Sequence, residues 1–141
     1  MRILVAAAIT LAGLLTLTLS VAAQQPAPAD DLRFTGISTV LDGQDLSAAR
    51  RRFEPGARSA WHSHDNGQLL FVENGRGRTQ KRGMAMRELG PGDSDYTGPN
   101  VIHWHGAAAG QEFIQINVGF GGETKWMEKT TDDEYAGKIR K

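Results

Sequence analysis

No part of this chain between Ala48 and Phe120 goes far without a turn. The clusters "EPGA", "HDNG", "ENGRG", "KRGM", "GPGD", "TGPN" and "AAAGQ" succeed one another at short intervals, and the chain of 141 residues carries 17 glycines. Gly, Pro, Asn and Asp accept the backbone angles of tight corners, and the segments they leave between them are short. Short segments at this spacing predict an all-β sandwich or barrel. Strands are expected near 49–54, 59–64, 68–74, 77–82, 84–89, 93–97, 101–107 and 112–120.

The two ends differ from this pattern. Met1 and Arg2 lead into "ILVAAAITLAGLLTLTLSVA", and then into the polar "QQPAPADD". A positive start, an apolar middle and small residues before Gln24 describe a secretory signal peptide over 1–23, cut near Ala23. A retained membrane anchor is the alternative, weakened by the Thr and Ser within the run. Residues 24–47 read as an arm or linker, 48–122 as the barrel, and 123–141 as a tail in which Thr131 precedes acidic residues suited to a helix start. The expected location is periplasmic or secreted, with no membrane partner after leader removal.

Composition narrows the function. A chain with no cysteine has no disulfide, so packing or a bound metal must stabilise it outside the cell. The formal net charge is zero, which argues against a nucleic-acid partner. "ARRRF", 49–53, is the only basic run, and it reads as a solvated strand face rather than a phosphate site.

The histidines carry the chemistry. All 4 lie in two pairs, in "WHSHDNGQ" and "HWHG". Side chains on a strand alternate faces, so His62 and His64 share one face, and His103 and His105 share another. Across the "DNG" turn, Gln68 can come to lie beside the first pair. Several imidazoles in one interior would be costly without hydrogen bonds or a metal, and neutral imidazole is the commonest protein metal ligand. A metal site built from some of these residues is expected.

"PGARSAWHSHDNGQLLFVENGRG" resembles the first motif of the cupins, with Gly56, His62, His64, Gln68 and Gly75 at its marked positions. "PGDSDYTGPNVIHWHG" resembles the second, with Pro91, Gly92, Asp93, Pro99 and His103. The resemblance covers roughly residues 50–120. It implies a single small double-stranded β-helix barrel, a jelly roll, holding one divalent metal through His62, His64, Gln68 and His103. Many cupins have Glu where this chain has Gln68; a neutral ligand set leaves the ion its full charge. Mn(II) is the ion placed first, with Fe(II), Ni(II) and Zn(II) as alternatives.

"FEPGARSAWHSHDNGQ", "HWHGAA" and "WMEKTTDDEY" are similar to the single-domain cupins that include bacterial manganese-dependent hydroxynitrile lyases. That resemblance implies cleavage of a cyanohydrin such as mandelonitrile, with His105 facing the substrate. It also implies a further catalytic position at Gln115, where those lyases carry histidine. A glutamine orients a ligand but is no general base near neutral pH, so His105 would be the base. An Fe(II)-dependent dioxygenase and a non-catalytic barrel that binds metal or a small ligand are the alternatives. Trp61, Trp104, Leu69 and Phe71, opposite the proposed ligands, are expected on an outer sheet face or a homodimer interface. Met84 and Met86 read as core filler or pocket wall, and Phe53, Phe113 and Tyr96 as candidates to line the barrel.

Overall fold

The structure, a computed structural model, describes residues 35, 41, 43 and 45–139. The leader expected over 1–23 lies outside the described residues, as does most of the arm expected over 24–47. The strands are β1 (Ser47–Phe53), β2 (Ala60–His64), β3 (Gln68–Gly75), β4 (Gly77–Lys81), β5 (Arg87–Leu89), β6 (Ser94–Thr97), β7 (His103–Ala107), β8 (Phe113–Gly119) and β9 (Thr124–Lys129). A single turn of helix, α1 (Asp132–Tyr135), follows. The strands pair antiparallel into a four-stranded sheet, β1-β8-β3-β6, and a five-stranded sheet, β5-β4-β7-β2-β9. This is a small all-β barrel of two antiparallel sheets with a short C-terminal helix, the architecture that the sequence motifs imply.

Register decides what faces inward. On β8, Phe113, Gln115 and Asn117 oppose Phe53, Arg51 and Ala49 of β1. On its other side, Gln115 and Asn117 meet Val72 and Leu70 of β3. In the facing sheet, Thr79 and Lys81 of β4 oppose His105 and His103 of β7, and His103 opposes His62 of β2. Because opposed residues point the same way, these sets line one interior.

That interior changes along its length. At one end Val72, Leu89, Ala107 and Phe113 form the apolar core, with the half-buried Phe53 packed against them. Gly77 is needed here: a Cβ at this position would run into the Phe113 ring. Burying a ring of that size contributes about 1.5–3 kcal/mol. The other end holds the histidines.

The outer face of the five-stranded sheet is also dry. Trp61 and Trp104 are both 0% exposed. The Arg82 guanidinium lies 5.1 Å from the Trp61 ring, and Tyr135 lies 5.8 Å from Trp104, whose Nε1 donates to Gln80 Oε1 at 2.9 Å. Their expected place on an outer sheet face is correct, and the chain's own tail supplies part of the cover. A capping box holds that tail: Glu134 N donates to Thr131 Oγ1 at 3.3 Å, and Thr131 N donates to Glu134 Oε2 at 2.8 Å. Tyr135 then donates its hydroxyl to the Ala107 carbonyl at 2.7 Å. On the other sheet Leu69 is half-buried and Phe71 exposed.

Three expectations change. Residues 124–129 are not tail but strand β9, which pairs antiparallel with β2 across one register shift between Ala60 and His62. Of the two places expected for Met84, pocket wall holds and core filler does not: it is 58% exposed and lines a small pocket with Thr79 and Asp95. Tyr96 points outward and is exposed, whereas Phe53 and Phe113 do line the barrel.

Candidate metal centre

Two turns bring the predicted ligands together. The "DNG" corner needs Gly67 at φ +87°, and a Cβ there would stand 2.6 Å from the Thr97 carbonyl oxygen. The "TGPN" corner closes on the same strand end, where Asn100 N donates to the His64 carbonyl at 2.8 Å. His62, His64 and His103 each offer a ring nitrogen, and these atoms lie within 4.8 Å of one another. Gln68 Oε1 sits 3.3 Å from His103 Nε2. All four residues of the expected set therefore meet at one place.

The outer nitrogens are already engaged. His62 Nδ1 lies 2.9 Å from the Ala60 carbonyl and His103 Nδ1 lies 3.1 Å from the Val101 carbonyl. Each ring must donate there, which leaves Nε2 as a bare lone pair facing the centre. His64 Nδ1 contacts Thr124 Oγ1 at 2.9 Å, and its buried Nε2 has no partner. Fixing the far nitrogen in this way orients ligating imidazoles. With Nδ1 donating to Val101, His103 Nε2 presents a lone pair beside the Gln68 amide, 3.3 Å away, and the His64 Nε2 lone pair has no partner at all. A turned Gln68 N–H could satisfy one of these; a cation satisfies them together, so the donor set fits a divalent metal.

Protonation does not resolve it instead. Burial, above all, pushes His103 down to about 3, with the charge of His62 adding to the effect. Burial likewise pushes His62 down to about 4, against the opposing Ala60 hydrogen bond. His64 is lowered by burial as well. At neutral pH these rings are uncharged, the state in which imidazole binds metal.

His105 and Gln115 stand deeper. His105 is 5.2 Å from His62 and 5.9 Å from His103, ring to ring, and Phe53 meets it edge-on at 5.7 Å. Burial holds it well below the ordinary histidine range, followed by the charges of the neighbouring histidines. Its Nδ1 has no hydrogen-bond partner. Gln115 is 0% exposed, and neither its amide oxygen nor its nitrogen has a partner among the described residues. A cavity of about 450 Å³ opens beside this group, walled by His62, His64, Gln68, His105, Asn117 and Trp126.

Sequence reasoning missed several residues of this wall. Thr124 and Trp126 lie in the stretch the sequence assigns to the tail, where "TKWMEK" carries no clear strand alternation. Trp126 stacks on His62 at 4.6 Å. Arg51 also lines the cavity, and "ARRRF" was read as a solvated face. Its neighbours do face outward: Arg50 pairs with Glu73 at 2.6 Å and Arg52 with Glu112 at 2.8 Å. Arg51, between them, points in.

Comparison with known proteins bears on the family and the fold. The family model described as a cupin domain matches residues 49–118. An (R)-mandelonitrile lyase from Granulicella tundricola is 41% identical over 93 residues, which cover 64% of this chain and 71% of the relative. A cupin-like protein from Thermotoga maritima is also 41% identical, with a TM-score of 0.63 over 64% of this chain and 71% of that one. A conserved protein with a double-stranded β-helix domain from Klebsiella pneumoniae is 26% identical, with a TM-score of 0.54 over 64% of this chain and 81% of its own.

Proposed function

The chain belongs to the cupin family, and from that premise we propose a metal-dependent carbon–carbon lyase acting on small hydroxylated substrates, cyanohydrins first among them. The observation that carries this reading is His105, an uncharged imidazole with an unpartnered nitrogen in a cavity wall shared with the three-histidine cluster. The 41% identity to a mandelonitrile lyase supports it.

His62, His64, Gln68 and His103 would hold the ion, with Mn(II) placed first. Once bound, the ion supplies Lewis acidity toward a hydroxyl or nitrile group. His105 takes the hydroxyl proton while the bond to the nitrile carbon breaks. The electron pair of that bond leaves with cyanide, and the same imidazole returns the proton to it, completing an aldehyde and hydrogen cyanide. A base whose proton affinity burial has lowered gives that proton back readily. Gln115 cannot carry a proton, so it positions rather than titrates. Phe53 and Trp126 offer apolar surface for an aromatic substituent.

The test is mandelonitrile supplied to the Mn(II)-loaded protein without oxygen. Benzaldehyde and cyanide are expected, and His105→Ala should keep the metal yet lose turnover by about 100-fold or more. Turnover only with Fe(II) and oxygen would replace this reading with the dioxygenase one. No turnover with either would leave a metal-binding barrel without catalysis.

A further inference from the structure

β1 supplies three arginines in succession, and the structure treats them differently. Arg50 and Arg52, on the outer face, are held by Glu73 and by Glu54 and Glu112. Arg58, at the cavity edge, is held by Asp132 at 2.6 Å and lies over the Tyr135 ring. Arg51 lines the cavity and makes no ion pair or hydrogen bond among the described residues. No Asp or Glu lines that cavity among the described residues. The ligand set beside it is neutral as well.

The residue opposite Arg51 on β8 is Gln115. Its amide is fully buried with both ends unpartnered, and Asn117, next on the same face, has an unpartnered oxygen too. A buried amide left unsatisfied loses its water hydrogen bonds without replacement, so the fold keeps it at a penalty. Arg51 at the cavity wall is a guanidinium with no acid beside it, a donor that lacks its anion; the Gln115 amide lies behind it on the paired strand, and the free Asn117 oxygen in the wall can accept from a ligand hydroxyl. A neutral cyanohydrin offers Arg51 only neutral acceptors; a carboxylate offers it a charge and two oxygens.

We propose that Arg51 and Gln115 form an anion-binding subsite that selects small organic acids, the carboxylate at Arg51 and the rest of the molecule toward the histidines. The ligand class of this subsite is then a small carboxylate bearing a neighbouring hydroxyl or carbonyl oxygen. Arg51 is the specificity-determining residue and Gln115 its partner. This inference goes beyond the lyase reading and does not need it.

The test is calorimetric titration of mandelate into the full chain, with and without Mn(II), using benzyl alcohol as the neutral counterpart. Wild type should bind mandelate in preference to benzyl alcohol, more weakly at high salt. Arg51→Ala should lose roughly tenfold in mandelate affinity and leave benzyl alcohol unchanged, while Arg51→Lys keeps part of the preference. Gln115→Leu should weaken mandelate binding yet raise Tm, because it removes an unsatisfied amide; a purely structural glutamine would not give that pair of results. Absence of mandelate binding, equal affinity for the two compounds, or an Arg51→Ala protein that binds mandelate like wild type would overturn the proposal. Mandelonitrile turnover without Arg51-dependent mandelate binding would leave the lyase reading standing alone, and the converse would leave the subsite alone.

Discussion

On one face of β8, Phe113, Gln115 and Asn117 pass from one environment to its opposite. Phe113 is enclosed by Val72, Leu89 and Ala107, and even the absence of a Cβ at Gly77 is used to seat its ring. Gln115 and Asn117, one and two pleats further along, keep buried polar atoms without partners. The closed end of the barrel gains stability from apolar contact. The open end gives stability up, holding uncharged imidazoles and free amides in place for something that is not protein. The contrast teaches that the two tasks are divided along the barrel axis and not between sheets, since each sheet contributes to both ends.

Breaking the closed end should have the largest effect. Phe113→Ala is expected to lose about 3–5 kcal/mol in urea unfolding, and protein that remains folded should keep its metal content. A loss of less than about 1 kcal/mol would mean that the apolar end is not where stability resides.

Breaking the open end should matter most when metal is present. His103→Ala or His62→Ala should lower metal content and abolish the rise in stability on adding Mn(II), about 2.7 kcal/mol at a free concentration about 100 times Kd. In metal-free protein the same substitutions also cost stability, through the lost ring packing and the Nδ1 bonds to Ala60 and Val101, so the response to Mn(II) is the readout that isolates ligation. Metal analysis of either variant matching wild type would refute the ligand set.

Acid should separate the ends next. His62 and His103 have folded pKa values of about 4 and about 3, below the roughly 6.5 of an unfolded imidazole. As pH falls below about 6.5 the unfolded state takes up protons that the folded state refuses, so stability is lost on acidification toward about 3. Metal-free protein followed by urea unfolding between pH 7 and 4 should show this slope. His62→Ala should flatten it, and Phe113→Ala should displace the curve without changing its slope. The depressed values also place metal release below the pH at which free imidazole protonates.

The smallest effect concerns the tail. Thr131→Ala should cost about 1 kcal/mol through loss of its cap, loosening Tyr135 from Ala107 while leaving metal content unchanged. A change in metal affinity would show that the outer cover of β7 reaches the histidines on its inner face.

Much of the fold was legible because turns and alternation are local. The corners at "DNG" and "TGPN" are written in Gly, Pro and Asn, and the same-face pairing of His62 with His64 and of His103 with His105 follows from the strand period. β9 was not legible, because "TKWMEK" is short, mostly exposed and followed by a real helix start at Thr131. Its place in the sheet is set by pairing with β2, about 60 residues earlier in the chain. Arg51 was hidden for a related reason. Three successive arginines look alike, and only the acids on neighbouring strands show which two are outward.

By itself the sequence determined that this chain is a barrel of short strands, which side chains travel together on each strand, and that histidine and glutamine ligands stand close to one corner. The tertiary structure decided which of each strand's two faces is the interior, and so which polar groups are left there without partners. The physical reason is that a period of two fixes side chains only relative to one another. Inward and outward are assigned when distant strands choose their register and bury one face together.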